Sequence, residues 1–384
     1  MISKDHKKHS DIARPSLGNF GRNEFSFVGT TCTNIRDLCD IIVKVLSTKY
    51  KCAYVDAEHK DTALTESQTA FITYTDKISF EEFRLQKELD KFQYHQLFNE
   101  ADLILVNGNH FEAAKQVVVI DKVKENSLQK RISQLTNVRL ILLAENADEI
   151  FDFVKEAIPN WQQLPILSLH ETENIISFFE KQLEQTVVPI NGLVLAGGKS
   201  VRMGFDKSAI AWHGKEHQYY MADILKEICE DVFISCREEQ TNEIDKSYKL
   251  LPDTFTGLGP YGAILSAFRE QPDSAWLVTA CDLPLLDKDV LQYLIEHRNP
   301  SAIATTYESP FDGLPEPLIT IWEAKAYPIL LSFLAQGYSC PRKVLRNNHV
   351  NIIKASNPET LMNVNTPEEL EKVKNILLQK SATV

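Results

Sequence analysis

Long apolar runs are the first thing missing from this 384-residue sequence. No stretch approaches the roughly 18–20 apolar residues that a membrane-spanning helix needs. The opening residues, Met1 to Ser10, carry charges with no apolar segment behind them, unlike a secretory signal, so the expected location is the cytoplasm. Positive charge is also in short supply: 41 Lys and Arg against 53 Asp and Glu leave a net charge of −12. That balance argues against nonspecific nucleic-acid binding by the whole chain, though not against a local basic site for a small phosphorylated ligand. The seven cysteines (Cys32, Cys39, Cys52, Cys229, Cys236, Cys281, Cys340) include no C-x-x-C pair. An odd, scattered set excludes a zinc ribbon or a disulfide framework and fits reduced, mostly buried thiols.

What is present is a globular average, with 43% hydrophobic and 24% charged residues. Strand-like and helix-like segments alternate after a polar tail at residues 1–22. Glu24–Gly29, Lys51–Ala57, Ala101–Gly108, Gln116–Asp121, Val138–Ala144 and Leu164–His170 read as strands. Asn34 to Leu46 has Ile35, Leu38, Ile41, Ile42 and Val45 at helical spacing, and Thr172 to Leu183 reads as a second helix. The alternation predicts an α/β domain over 23–185 with a mainly parallel sheet. Gln185-Thr-Val-Val-Pro189 is a short proline-containing stretch before a fresh strand, Ile190–Ala196, so 186–189 reads as a linker and 190–384 as a second α/β domain.

Glycine marks the difference between the halves. Of fourteen glycines, four precede residue 190, eight fall between Gly192 and Gly262, and two follow. Glycine concentrates where backbone must approach a ligand or adopt positive φ, which predicts a backbone-built site near the start of the second half. Its centre is the thirteen-residue string Leu195-Ala-Gly-Gly-Lys-Ser-Val-Arg-Met-Gly-Phe-Asp-Lys207. Gly197 and Gly198 free backbone N–H groups to face a phosphate, and Lys199, Arg202 and Lys207 can neutralise it. The spacing is neither the P-loop G-x-x-x-x-G-K-[ST] nor the dinucleotide G-x-G-x-x-G.

The string resembles the signature L-A-G-G-x-S-x-R-M-G-x-D-K of the molybdenum cofactor guanylyltransferase family, matching each fixed position. Further elements follow in the family's order: Leu251-Pro-Asp253 before Thr256-Gly-Leu-Gly-Pro-Tyr-Gly-Ala263, then Trp276-Leu-Val-Thr-Ala-Cys-Asp-Leu-Pro284, Pro315-Glu-Pro-Leu318 before an Ile-Thr-Ile strand, and Met362-Asn-Val-Asn-Thr-Pro-Glu-Glu-Leu370. The resemblance implies a Rossmann-like, GT-A-like mixed sheet that transfers GMP from GTP to molybdenum-loaded molybdopterin and releases pyrophosphate. It implies nucleotide contacts from Leu195, Ala196, Gly197, Gly198, Lys207 and Asp253. It assigns Mg²⁺ to Asp282, the leaving pyrophosphate to Arg202, and pterin contacts to Asn363 and Asn365. Thr366 and Glu369 also fit a plain capping box. One departure stands out: Val232-Phe-Ile-Ser-Cys-Arg-Glu238 puts Ser235 or Cys236 where the family often has asparagine, which leaves GTP against CTP open. Cys236 and Cys281 read as packing residues.

The first half places Gly29 between a strand and a helix, as a P-loop would, but Asn34, Ile35 and Arg36 stand where glycine, lysine and Ser/Thr are required. Ala53-Tyr-Val-Asp-Ala-Glu-His-Lys60 and Asp102-Leu-Ile-Leu-Val-Asn-Gly108 resemble segments of the molybdopterin-guanine dinucleotide adaptor family, with Asn107 replacing a glutamate. This implies a degenerate P-loop-like adaptor over 23–185 that has lost nucleotide hydrolysis and contacts apo-molybdoenzymes or pterin-delivering proteins. His59, His95, His110 and His170 stand alone in the sequence and read as structural or surface residues. The competing readings are a cytidylyltransferase on the same pterin, a sugar-phosphate nucleotidyltransferase, and a non-catalytic cofactor-insertion scaffold.

Overall fold

The apolar runs Glu24–Val28 and Leu103–Asn107 become the centre of a sheet because each of their residues is buried. The computed structural model describes residues 12–58, 70–196, 212–364 and 366–381. The chain forms two compact units, Ser16–Thr186 and a second beginning at Val187.

In the first unit the strands are β1 (Glu24–Val28), β2 (Cys52–Val55), β3 (Ile72–Asp76), β4 (Glu81–Leu85), β5 (Leu103–Asn107), β6 (Lys115–Ile120), β7 (Val138–Leu143) and β8 (Ile166–Ser168). Six of them make a sheet ordered β2-β5-β1-β6-β7-β8 in which every pairing is parallel. Alternate side chains feed opposite faces. Phe25, Phe27, Leu103, Leu105, Val117 and Val119 pack under the helices Cys32–Leu46 and Thr172–Gln185. Val28, Val118, Ile120 and Ile141 pack the other face against Leu128, Val154 and Ile158. The sheet is thus covered on both sides, which is why its strands read as continuous apolar runs rather than alternating ones.

Two local expectations shift, and one element is new. The first helix starts at Cys32, not Asn34, because Thr31 caps it by accepting from the Asn34 N–H at 3.2 Å. Its buried stripe is Ile35, Leu38, Cys39, Ile42 and Leu46; Ile41 and Val45 are 43% and 45% exposed. The cysteine and the last leucine complete the turn-by-turn phase that those two residues miss. The antiparallel hairpin β3–β4 had no reading in the sequence; it is largely exposed and pairs with neither main sheet among the described residues.

The second unit contains β9 (Ile190–Leu195), β10 (Val232–Cys236), β11 (Lys249–Pro252), β12 (Ala275–Ala280), β13 (Ala304–Glu308), β14 (Pro315–Trp322) and β15 (Asn351–Ile353). The sheet order is β11-β10-β9-β12-β14-β13-β15. The first four strands run parallel, while β14 is antiparallel to both β12 and β13, giving the expected mixed sheet. Leu193, Trp276 and Val278 face a core with Tyr261, Ile264, Phe268 and Leu330, and Val194, Ile234 and Leu277 face another with Met221, Leu225 and Leu291. The Pro-Glu-Pro segment does not precede β14 but opens it. A register shift between Thr306 and Glu308, opposite Pro315, accommodates prolines that a regular ladder would reject.

A buried ion pair holds the entry of this unit. Arg298 and Glu323, 9% and 4% exposed, meet through two parallel N–H···O contacts of 2.7 Å, and the Arg298 Nη1 donates to the Val188 carbonyl at 2.9 Å. Removing one partner of a buried pair strands the other charge. Glu323→Ala therefore lowers the stability of the second unit by about 3–5 kcal/mol, read from urea unfolding followed by tryptophan fluorescence. A loss below roughly 1 kcal/mol, the level of an exposed pair, would contradict this.

Candidate functional site

Parallel strands deliver their carboxyl ends to one edge of the sheet, and that is where ligands bind in open α/β folds. Register sets which residues meet there. Leu195 at the end of β9 pairs with Ser235 on one side and Ala280 on the other. The Ala196 N–H donates to the Ser235 carbonyl at 3.2 Å. The Asp253 N–H donates to the Cys236 carbonyl at 2.9 Å, extending the β10–β11 pairing one residue past Pro252.

Ser235 is 1% exposed, and its hydroxyl donates to Asp253 Oδ1 at 2.8 Å. Burial pushes the half-buried Asp253 carboxyl above its ordinary value, against the opposing pull of the Ser235 hydrogen bond and the Arg237 charge. The serine standing in the asparagine position thus has a partner inside the site, one the sequence did not reveal. Arg237 is held by Gln240 Oε1, which accepts from both its backbone N–H and its Nε at 3.1 Å. Burial, with Asp253 and Glu238 nearby, pushes the Cys236 thiol up to about 11. It stays protonated, as a packing residue would.

The segment after Asp253 is built for backbone exposure. Gly257 and Gly259 have φ of 77° and 57°, in the left-handed region that favours glycine. The helix Pro260–Glu270 starts at the proline itself, whose fixed φ suits the first helical position. Ser266 ties the loop to this helix: its hydroxyl accepts from the Thr254 and Phe255 N–H groups at 2.9 and 3.2 Å and donates to the Gly262 carbonyl at 2.7 Å.

On the other flank, β12 is buried along its whole length and leads to buried Cys281 and half-buried Asp282. The Asp282 carbonyl accepts from the Val364 N–H at 2.8 Å. Val364 and Met362 then pack with Leu285 and Val373, so the closing motif is locked onto the Asp282 loop. Asn363 is exposed beside it. Thr366 and Glu369 form the capping box: the Thr366 N–H donates to the glutamate at 3.0 Å, and the Glu369 N–H donates to the threonine hydroxyl at 3.2 Å. The described residues therefore place Leu195 and Ala196 in the middle of this edge, with Asp253 on one flank and Asp282 and Asn363 on the other. Three strand spacings separate β11 from β12, roughly 14 Å at about 4.8 Å each. Gly197, Gly198, Lys199, Arg202, Lys207 and Asn365 lie outside the described residues. Among the described residues no group of three or more His, Cys, Asp or Glu side chains forms a metal cluster.

With this geometry in hand, comparison with known proteins is informative. A MobA-like NTP transferase domain matches residues 192–352. A probable molybdenum cofactor guanylyltransferase of Nostoc sp. is 30% identical over 189 residues, covering 47% of this chain and 88% of the relative. The chain belongs to the molybdenum cofactor guanylyltransferase family. Its second half carries the family's nucleotidyltransferase domain. A molybdenum cofactor biosynthesis bifunctional protein of Synechocystis sp. is 34% identical over 186 residues, 48% of this chain and 54% of that relative, so the match spans about half of its length. A MobB protein homolog from Bacillus stearothermophilus is 18% identical with a TM-score of 0.32, covering 42% of this chain and 99% of that one.

One further group borders the Asp282 loop of this guanylyltransferase-family domain. His213 Nε2 lies 2.9 Å from the Pro284 carbonyl, and its ring stacks on Tyr220 at 3.9 Å. His217 is fully buried, and neither ring nitrogen has a hydrogen-bond partner among the described residues. The Leu283 backbone faces the ring without completing a hydrogen bond and opposes the shift only weakly. Burial, reinforced by His213, lowers the His217 pKa from 6.5 to about 4. Between those values the unfolded ring binds a proton that the folded ring refuses, so stability falls as pH drops through that window. Relative to pH 7.5, His217 costs the fold roughly 2 kcal/mol at pH 5. A His217→Leu variant loses that much less stability than the parent between these two pH values, measured by denaturant unfolding. Equal losses in the two proteins would refute the assignment.

Proposed function

We propose that the second unit transfers GMP from GTP to molybdenum-loaded molybdopterin, releasing pyrophosphate and forming the guanine dinucleotide form of the cofactor. The observation that carries the proposal is a pair of carboxylates at the carboxyl edge of one sheet, Asp253 after β11 and Asp282 after β12, on either side of β9, the strand that leads into the glycine-rich signature. A terminal phosphate oxygen of the pterin attacks the α-phosphorus of the nucleotide, the α–β phosphoanhydride bond breaks, and pyrophosphate leaves. The attacking oxygen is already anionic, so the protein needs little acid–base chemistry and contributes positioning and charge neutralisation. Asp253, bonded by Ser235, suits the nucleoside side; Lys207 and Arg202 suit the triphosphate; Asn363 and Asn365 suit the pterin.

Asp282 is the residue we assign to Mg²⁺. The donors on this flank, the Asp282 carboxylate and the Asn363 amide, are all hard oxygens, and a magnesium ion takes one or two protein carboxylates and completes its shell with water and phosphate. When bound, the ion would neutralise charge on the triphosphate. This chain's own share is to hold the Asp282 backbone in place: its carbonyl accepts from the Val364 N–H, which ties the Asp282 loop to the closing motif.

The first unit fits a degenerate adaptor. Arg36, standing where a P-loop needs its hydroxyl residue, points its guanidinium at Asp56 Oδ2, 3.1 Å away, and the Asn34 amide donates to the Thr30 hydroxyl at 3.0 Å. Those side chains bond to one another where a nucleotide-hydrolysing loop would present lysine and a metal-binding hydroxyl. The partners in keeping with this reading are apo-molybdoenzymes or pterin-delivering proteins, and the compartment is the cytoplasm.

The test is pyrophosphate release by the purified chain with Mg²⁺ and molybdenum-loaded molybdopterin, run in parallel with GTP and CTP. GTP supports turnover, and Asp282→Asn lowers kcat by about 10²–10³-fold with the fold intact by circular dichroism. Turnover with CTP alone would replace guanylyl by cytidylyl transfer, a choice that Ser235 in the asparagine position makes worth testing. No turnover with either nucleotide would leave the chain a scaffold.

A further inference from the structure

The first unit gathers chemistry at the carboxyl edge of its own sheet that the function proposed above does not use. Cys32 is the first residue of the fifteen-residue helix that follows β1. His110 lies just after β5, 78 residues away in sequence, and the structure sets its Nε2 3.4 Å from the Cys32 Sγ. The same Nε2 is 3.8 Å from Asp56 Oδ1, at the end of β2. His110 and Asp56 are 14% and 13% exposed. The histidine that stands alone in the sequence is therefore part of a thiol–imidazole–carboxylate group drawn from three strand ends.

The carboxylate is held for that purpose. Asp56 accepts from Asn107 Nδ2 at 2.8 Å, from the Tyr54 hydroxyl at 2.9 Å, from Arg36 at 3.1 Å and from the Ala57 N–H at 2.8 Å. Burial pushes its pKa up, and these four donors outweigh that and hold the carboxyl below its ordinary range. The sulfur has a second neighbour, Asn109 Nδ2, at 3.5 Å, and that amide also donates to the Thr30 carbonyl at 3.0 Å. Arg131 Nη2 donates to the Asn109 carbonyl at 3.3 Å and fixes the turn that carries it. The Cys32 sulfur thus has an imidazole beside it, an amide donor against it and the N-terminus of a fifteen-residue helix beneath it.

We propose that Cys32 is a nucleophilic thiol that exchanges with small soluble disulfides, with His110 as its base and Asp56 as the residue that positions the imidazole. The step balances without an added oxidant. The Cys32 S–H proton passes to His110 Nε2. The thiolate attacks one sulfur of the disulfide, whose S–S bond breaks as a new S–S bond to Cys32 forms. The departing thiolate takes the proton back from His110, leaving a mixed disulfide on Cys32 and a free small thiol. The attacking thiol must be the cysteine that faces this edge, because Cys39, on the same helix, is fully buried in the core.

Two internal references make the test direct. Cys340 is exposed and Cys39 is buried, so the first reports ordinary thiol reactivity and the second reports loss of the fold. The full chain is treated with limiting iodoacetamide at pH 7, and each cysteine is followed by peptide mass spectrometry. Cys32 reacts at least about tenfold faster than the more exposed Cys340, and His110→Asn brings it to or below the Cys340 rate while Cys39 stays unlabelled. If Cys39 becomes labelled in that variant, His110→Gln takes its place. Glutathione disulfide gives a mixed disulfide at Cys32 and not at Cys340 on the same time scale. A Cys32 rate at or below that of Cys340, a rate indifferent to both His110 changes, or fast alkylation with no mixed disulfide would each overturn the proposal. Nucleotidyl transfer plays no part in the readout, so the outcome is independent of the function assigned to the second unit.

Discussion

Strand register is the constraint on which the rest of this molecule depends. Once Leu195 pairs with Ser235 and with Ala280, the residues that follow those strands have no freedom about where they emerge. A slip of one residue would turn Ser235 toward the opposite face and break its bond to Asp253. The register is held by burial rather than by local preference. The inward faces of β9, β10 and β12 present Val194, Ile234 and Leu277 to one core and Leu193, Trp276 and Val278 to the other, so every slip exchanges two packed faces at once.

Both units apply this constraint, and they spend it differently. In the second, strand ends set two carboxylates on either side of a backbone segment; the Ser235 hydroxyl holds the Asp253 carboxylate, and the Val364 backbone N–H holds the Asp282 carbonyl. In the first, the corresponding edge is filled by side chains that bond to one another. Arg36, Tyr54, Asn107 and His110 all converge on Asp56. An edge whose side chains bond to one another holds each of them in one orientation.

Much of this was legible in the sequence because buried parallel strands advertise themselves as apolar runs, and because a site made from backbone must be written in glycine and proline. The strands at Glu24, Leu103 and Ala275, the glycine turns at Gly257 and Gly259, and the Thr366–Glu369 capping box belong to that readable class. Other features resisted for a common physical reason: they are long-range. Ser235 finds Asp253 eighteen positions away, and Cys32 finds His110 seventy-eight away, through pairings that no local pattern encodes. Arg298 and Glu323 look like two ordinary surface charges until the fold buries both. Ile41 and Val45 erred the other way, since helical spacing cannot tell which edge of an apolar stripe the sheet will cover.

Ser266 carries a consequence for how this chain can change over evolutionary time. One hydroxyl measures the distance between the end of β11 and the first turn of the following helix, accepting from Thr254 and Phe255 and donating to Gly262. An insertion or deletion anywhere in that stretch would separate the partners and leave buried polar groups unmatched. Length variation in this lineage should therefore collect elsewhere, and the exposed β3–β4 hairpin of the first unit, anchored to neither main sheet, is the natural place for it. The chain is a rigid ruler at one strand end and an elastic margin at another.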